Sequence, residues 1–257
     1  MQQDINKGAV ITKVACIYIV FSLFNFINLS SAYNFWIENI STLPYMYPLT
    51  YNDFENCICF VIIGVIGCVL ICRQHWKAFL GKARWKETGV LISAHILYGV
   101  GIILVGEKLG GYQVNWYDVL VALVSQLIFV AFLEEWICRG FIINQLSILI
   151  EKRSVIIALS SVLFSLMHLP AYLKYEEISL GGIIYRLLIP LLLGIVLAII
   201  YIYKNNLIIC VLIHGFYNFI SEVTFNSWQY VSYGIYWIFL LVLVIWCVCK
   251  EQRLNTN

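Results

Sequence analysis

Long apolar runs separated by short polar connections recur along this chain. Each approaches the roughly 20 residues that carry a helix across a 30 Å hydrocarbon core. Eight stretches have this character, at 12–30, 57–73, 89–106, 117–138, 154–170, 182–203, 206–222 and 229–249. The first follows Lys7 and Lys13 and ends near Ser30, Ser31 and Ala32, an arrangement that imitates a signal-peptide cleavage site. Because seven further spans follow, it reads as an uncleaved first helix. No repeat, low-complexity tract or hydrophilic domain breaks the series. The pattern predicts one all-α polytopic membrane domain of about eight transmembrane helices.

Composition points the same way. Of 257 residues, 62% are hydrophobic and only 12% charged, with a mean hydropathy of +0.87. Soluble domains run near ~25% charged. This chain has too much apolar surface for one core to hide, which excludes a soluble enzyme, a nucleic-acid binder and a disordered protein. The net charge of +2 suggests no acidic partner. The nine cysteines lie in or beside apolar runs with no C-x-x-C pair, so they read as small buried hydrophobes.

Orientation follows from the short loops. With the N-terminus inside, the inner side holds Lys7, Lys13, Arg73, Lys77, Lys82, Arg84, Lys86, Lys152, Arg153, Lys204, Lys250 and Arg253. The outer side keeps Lys108 and Lys174, together with Glu38, Asp53, Glu55, Glu107, Asp118, Glu176, Glu177 and Glu222. Trp36, Trp116 and Trp228 would mark the outer interface, and Trp76, Trp85 and Trp246 the inner one. The expectation is N-in and C-in. The basic 73–88 loop, including His75, then reads as the positive-inside determinant rather than a nucleic-acid patch.

Ionisable residues inside spans cost about 2.5–3.5 kcal/mol each at a helix centre, so they usually have a partner or a task. Here they gather in the second half. The fourth span reads FVAFLEEWICRGFI, with Glu134, Glu135 and Arg139; the fifth ends SVLFSLMHLP, with His168; the seventh holds His214 and Asn218. Arg186 in the sixth span is an outlier, expected at the outer interface or beside Glu176 or Glu177. Glu135 and Arg139 are four apart and within reach of a salt bridge. Glu134 is turned about 100° away on an α-helix and is left for another task. His214 and Asn218 share a face, as do Phe164 and His168. Three helices can therefore converge on one polar pocket.

That inventory suits hydrolysis. A Glu with a neighbouring His can deprotonate a water, and the protonated partner can then feed a leaving amine. A second His and an Asn can donate hydrogen bonds to the oxyanion of a tetrahedral intermediate. Glu134, His168 and His214 could instead form a His₂Glu zinc site with an open position. No Ser-x-x-Lys or Gly-x-Ser-x-Gly element is present, and Cys138 beside Arg139 is the weaker candidate nucleophile. Taken singly, each group has a structural reading: a lone His as an interhelical hydrogen-bonder, Glu135 with Arg139 as a neutral bridge, His95 beside Ser93 as a satisfied core residue. The functional reading rests on all of them lying in adjacent spans of a chain otherwise poor in charge.

Glu134-Glu135-x-x-x-Arg139-Gly140, Phe164-x-x-x-His168-Leu169-Pro170 and His214-x-x-x-Asn218 resemble, in order and spacing, the three motifs of the CPBP (Abi) family. That family includes CAAX prenyl proteases of type 2 and bacterial relatives linked to peptide processing and bacteriocin immunity. The resemblance covers about residues 117–222. It divides the chain into 1–116, three spans without a motif; 117–222, a catalytic core; and 223–257, a last helix and cytoplasmic tail. It implies an intramembrane protease whose polar cavity is walled by the motif helices. Carried over by position, Glu134 and His168 would activate water, His214 and Asn218 would bind the oxyanion, and Glu135 and Arg139 would brace the site. The resemblance leaves the cofactor open, either none or a divalent metal such as Zn on Glu134, His168 and His214.

The expected activity is endopeptidase cleavage of a membrane-associated peptide or protein, either a CAAX-type C-terminus or a signalling-peptide or bacteriocin precursor. The implied partners are that substrate and the lipid bilayer, with no nucleic acid, in a multi-pass cell membrane protein of a bacterial plasma membrane. The alternatives are a non-catalytic bacteriocin self-immunity protein or a small transporter. A transporter would show inverted repeats and helices broken near the midplane. Only Pro190 with Gly194 hints at that.

Overall fold

The computed structural model describes residues 7–24, 85–110, 115–173, 178–224 and 226–255, together with positions 34, 35, 38 and 58. Within them the chain is all-helical and has no strand. Helix α1 spans Lys7–Phe24, α2 Trp85–Gly110, α3 Trp116–Leu149, α4 Arg153–Met167, α5 Leu169–Leu173, α6 Leu180–Lys204, α7 Leu207–Val223 and α8 Asn226–Asn255.

Five segments are long and apolar enough to cross a membrane: Lys86–Leu109, Trp116–Leu149, Arg153–Leu173, Leu180–Lys204 and Ser227–Cys249. Helix α7 is equally apolar but shorter, at 17 residues. Large side chains on their outer faces are bare, among them Leu97, Leu180 and Ile238. A surface of this kind is stable against lipid and not against water, because apolar area in water is unfavourable. The expected span 57–73 apart from position 58, the 73–88 loop as far as Arg84, Trp36, Trp76 and the acids Glu176 and Glu177 lie outside the described residues.

Side-chain chemistry sets the helix boundaries. Asn115 caps α3 by accepting from the Tyr117 amide at 3.0 Å. Ser179 caps α6 in the same way through Gly182. Two adjacent asparagines make the sharp turn from α6 to α7. Asn205 takes the left-handed conformation at φ 47°, which asparagine tolerates, and closes α6. Asn206 is extended and caps α7 through the Ile209 amide.

The fourth expected span is longer than predicted. It continues from Cys138 to Leu149 as one 34-residue helix. The run FIINQLSIL after Gly140 is itself apolar enough to stay helical, and the buried pair with Glu135 offsets the Arg139 charge that otherwise marks a span's end. This helix is not uniform. Ser125–Ala131 and Trp136–Ile143 are π-helical, and the α-helical turn Phe132–Glu135 lies between them. The wider π turns re-aim side chains relative to an ordinary helix and often occur at functional sites.

Two glycines allow the close packing that brings the polar residues together. A Cβ on Gly215 would lie 3.0 Å from the Leu127 Cα, so α7 rests almost backbone to backbone on the first π stretch of α3. A Cβ on Gly194 would lie 3.2 Å from both the Ser161 Cα and the Phe164 ring, so α6 rests on α4 in the same fashion. Small residues at such contacts are how helices approach closely where lipid supplies no hydrophobic drive.

One end of the bundle is basic. Lys204 lies 3.7 Å from Glu87 and 3.8 Å above the Trp246 ring, and Arg153 stacks on Tyr203 at 5.7 Å. Nearby, Asn206 donates to Thr88 at 3.1 Å.

Candidate active site

The Phe132–Glu135 turn of α3 carries both glutamates, and they face different ways. Oε1 of Glu135 accepts from Nη1 of Arg139 at 2.8 Å, as the four-residue spacing predicts. The same oxygen lies 2.8 Å from Nδ1 of His214 on α7. With the carboxylate already paired to a guanidinium, the histidine nitrogen is the donor. Side-chain exposure is 0% for Glu135, 1% for Arg139 and 3% for His214, so this triad is sealed from solvent and lipid.

Arg139 is held from two further directions. Nη2 donates to the Gly194 carbonyl at 3.1 Å, and the guanidinium lies 4.3 Å above the Phe164 ring. Cation–π contact of this sort contributes about 2 kcal/mol when desolvated. The Gly194 contact also accounts for the only feature that suggested a transporter. Pro190 lies buried inside a continuous α6, and Gly194 is a packing and hydrogen-bonding position.

Glu134 stands where the three motif helices meet. Its Oε2 is 3.7 Å from Nε2 of His168 and 3.8 Å from Nε2 of His214. That atom is buried and makes no hydrogen bond among the described residues. Both distances exceed a direct hydrogen bond, so neither imidazole satisfies that oxygen. Each imidazole is aimed by its other nitrogen. Nδ1 of His214 is on Glu135, and Nδ1 of His168 donates to the Phe164 carbonyl at 2.9 Å, since a carbonyl can only accept. In the neutral ring of His168, Nε2 therefore presents a lone pair toward Glu134.

Unlike the sealed triad, this part is accessible: Glu134 is 18% and His168 27% exposed. Asn218, one turn beyond His214, is half-buried on the same helical face. The Phe164 ring meets His168 edge-on at 5.0 Å and His214 at 5.5 Å. One aromatic ring thus contacts Arg139 and both histidines.

Of the six residues anticipated from sequence, Glu134, Glu135, Arg139, His168 and His214 are brought together here, with Glu134 facing both imidazoles and Glu135 paired to Arg139, and Asn218 lies one helical turn beyond His214. Two features were missed: the second partner of Glu135, and Tyr172. Phe164 was already placed on the face of His168 by its four-residue spacing, but its contacts with Arg139 and His214 were not anticipated. Tyr172 lies four residues after His168, with its ring 6.3 Å away, but Pro170 between them hides the periodicity. Arg186 is exposed and lies 5.9 Å from the Tyr172 ring. Cys138 is buried and its thiol donates to the Met167 sulfur at 3.5 Å, a core contact. His95 is also a core residue, bonded to the Leu91 carbonyl at 2.7 Å and the Tyr236 hydroxyl at 2.9 Å.

Among the described residues, no group of three or more His, Cys, Asp or Glu side chains is arranged to hold a metal ion.

Residues 115–220 match the family model described as Type II CAAX prenyl endopeptidase Rce1-like. No curated protein and no solved structure matches the chain. The matched stretch runs from the Asn115 cap of α3 into the last turn of α7, and it contains Glu134, Glu135, Arg139, His168, His214 and Asn218. From the Asn115 cap of α3 into the last turn of α7, this multi-pass membrane protein is similar to the family described as Type II CAAX prenyl endopeptidase Rce1-like.

Proposed function

We propose that this protein is an intramembrane endopeptidase that hydrolyses a peptide bond near the C-terminus of a membrane-associated peptide or protein, using a water activated by Glu134 and His168. The observation that carries this reading is the placement of Glu134 Oε2, buried, without a hydrogen bond and flanked by two imidazole Nε2 atoms. The match to a CAAX-type endopeptidase family supports the substrate class.

In the proposed sequence a water sits between Glu134 and His168. Glu134 takes one proton as the water oxygen bonds to the scissile carbonyl carbon. The carbonyl oxygen becomes an oxyanion and accepts hydrogen bonds from the Asn218 amide and from Nε2–H of His214. Since Nδ1 of His214 already donates to Glu135, this role makes the ring an imidazolium between two carboxylates. Glu135 is a positioning residue: it holds the ring and balances its charge, and Arg139 in turn holds Glu135. The carbon–nitrogen bond then breaks, and the proton on Glu134 passes to the leaving amine. Donors aimed at the oxyanion each contribute about 3–4 kcal/mol of transition-state stabilisation.

The same chemistry serves a CAAX-type C-terminus or a bacterial signalling-peptide or bacteriocin precursor, in the plasma membrane. Comparing membrane peptidomes of wild-type and Glu134→Ala cells distinguishes these. A membrane peptide that remains uncut only in the variant names the substrate, and identical peptidomes would refute protease function.

A further inference from the structure

We propose that Tyr236 is a positioning residue for the two oxyanion donors on α7, and that His95 competes with α7 for the one hydrogen of its hydroxyl. This rests on the endopeptidase reading and adds to it how the oxyanion side of the site is held in place.

His95 and Tyr236 lie outside the cleft, where α2 and α8 pack against α7. Each is only 1% exposed. The rings of Phe216, Tyr236 and Phe239 stand around His95 with centroids at 4.8, 5.8 and 5.4 Å. Within this apolar packing the Tyr236 hydroxyl donates to the Ile213 carbonyl at 2.9 Å.

Ile213 directly precedes His214. In an α-helix its carbonyl also accepts from the Tyr217 amide, and Asn218 comes next. The hydroxyl therefore fastens the one turn that bears both His214 and Asn218. That turn is tied to α3 by the His214 side chain, through Glu135 at 2.8 Å, and to α8 by its own backbone.

Counting hydrogens shows that the second tie is contested. The Leu91 carbonyl can only accept, so Nδ1 of His95, 2.7 Å away, carries the ring's hydrogen. Nε2 of the neutral ring is then an acceptor, and it lies 2.9 Å from the Tyr236 hydroxyl. The Ile213 carbonyl is a second acceptor at the same distance. One hydrogen faces both. When it turns to Nε2, the α7 turn loses its tie to α8; when it turns to Ile213, the tie is made.

The test uses full-length protein in liposomes and an internally quenched peptide anchored by a farnesylated cysteine. Tyr236→Phe keeps the ring and removes only the hydroxyl. Its kcat should fall about fivefold, the scale of one neutral hydrogen bond, with KM and folded yield unchanged. The loss is in kcat because the donors it positions act on the transition state. His95→Phe removes the competing acceptor and keeps a ring among rings, so kcat should rise by up to about twofold. The double variant should match Tyr236→Phe alone, because the histidine acts only through the hydroxyl. His95→Leu repeats the measurement with a smaller side chain.

Wild-type kcat in Tyr236→Phe, or a loss carried by KM or by folded yield, would overturn the positioning role. A kcat at or below wild type in both His95 variants, or loss of folded yield in both, would overturn the competition and make the histidine a packing residue. If wild type cuts the peptide no faster than Glu134→Gln, the endopeptidase reading itself fails and takes the positioning role with it.

Discussion

A single oxygen of Glu135 on α3 grips Nδ1 of His214 on α7 at 2.8 Å while it holds Arg139 of its own helix at the same distance. The adjacent Glu134 approaches the opposite nitrogen of that imidazole, 3.8 Å from Nε2. Two neighbouring carboxylates therefore clasp one ring from both ends, one sealed and one exposed to the cleft.

This relationship separates the two glutamates by experiment. Glu134→Gln keeps size and hydrogen bonding but removes the base, so turnover should fall at least about 10²-fold while detergent-solubilised yield is unchanged. Near-wild-type turnover would remove Glu134 from the mechanism.

Glu135→Gln should behave differently, lowering folded yield as well as activity, because stranding a buried Arg139 costs about 3–5 kcal/mol. Adding Arg139→Met to it removes the stranded charge and should restore yield. Activity should stay low, since His214 still lacks the carboxylate that aims it. Yield and turnover measured together on the single and double variants check this, and full recovery of activity would show that His214 does not depend on Glu135.

Phe164 is the shared wall of Arg139, His168 and His214. Phe164→Leu preserves most of the apolar volume but removes the ring face and edges, contacts of about 0.5–2 kcal/mol each. The expected outcome is a folded protein with a lower thermal midpoint and turnover reduced about tenfold. An unchanged thermal scan and unchanged kinetics would assign the ring to space-filling alone.

Gly194→Ala should destabilise the bundle by about 1–3 kcal/mol, because the new methyl meets the Ser161 backbone at 3.2 Å, where little can give. Gly101→Ala is the control. Nothing lies within 4 Å of its Cβ position, so it should be neutral or stabilising by helix propensity, up to about 1 kcal/mol. Thermal unfolding of both variants in the same detergent makes the comparison.

Topology is checked by reporters. A fusion after Lys250 and an insertion near Lys82 should read cytoplasmic, and an insertion near Asn52 external. External signals at both Lys82 and Lys250 would reverse the orientation.

The sequence by itself determined the all-helical, multi-span membrane class, the approximate positions of the motif helices and the Glu135–Arg139 pair. Hydropathy and i, i+4 spacing are properties of one helix, and each can be read without knowing what packs beside it. The caps at Asn115 and Ser179 are local in the same sense. Which face of α7 meets which turn of α3 is a different kind of fact. It depends on Gly215 resting against Leu127 and on two π-helical stretches that no periodicity announces, and these bring His214 between Glu134 and Glu135. The three contacts of Phe164 likewise join positions 139, 168 and 214 across three helices. Only tertiary structure could decide them, because lipid-facing and partner-facing apolar residues look alike in a chain that is solvated by hydrocarbon on one side and packed against itself on the other.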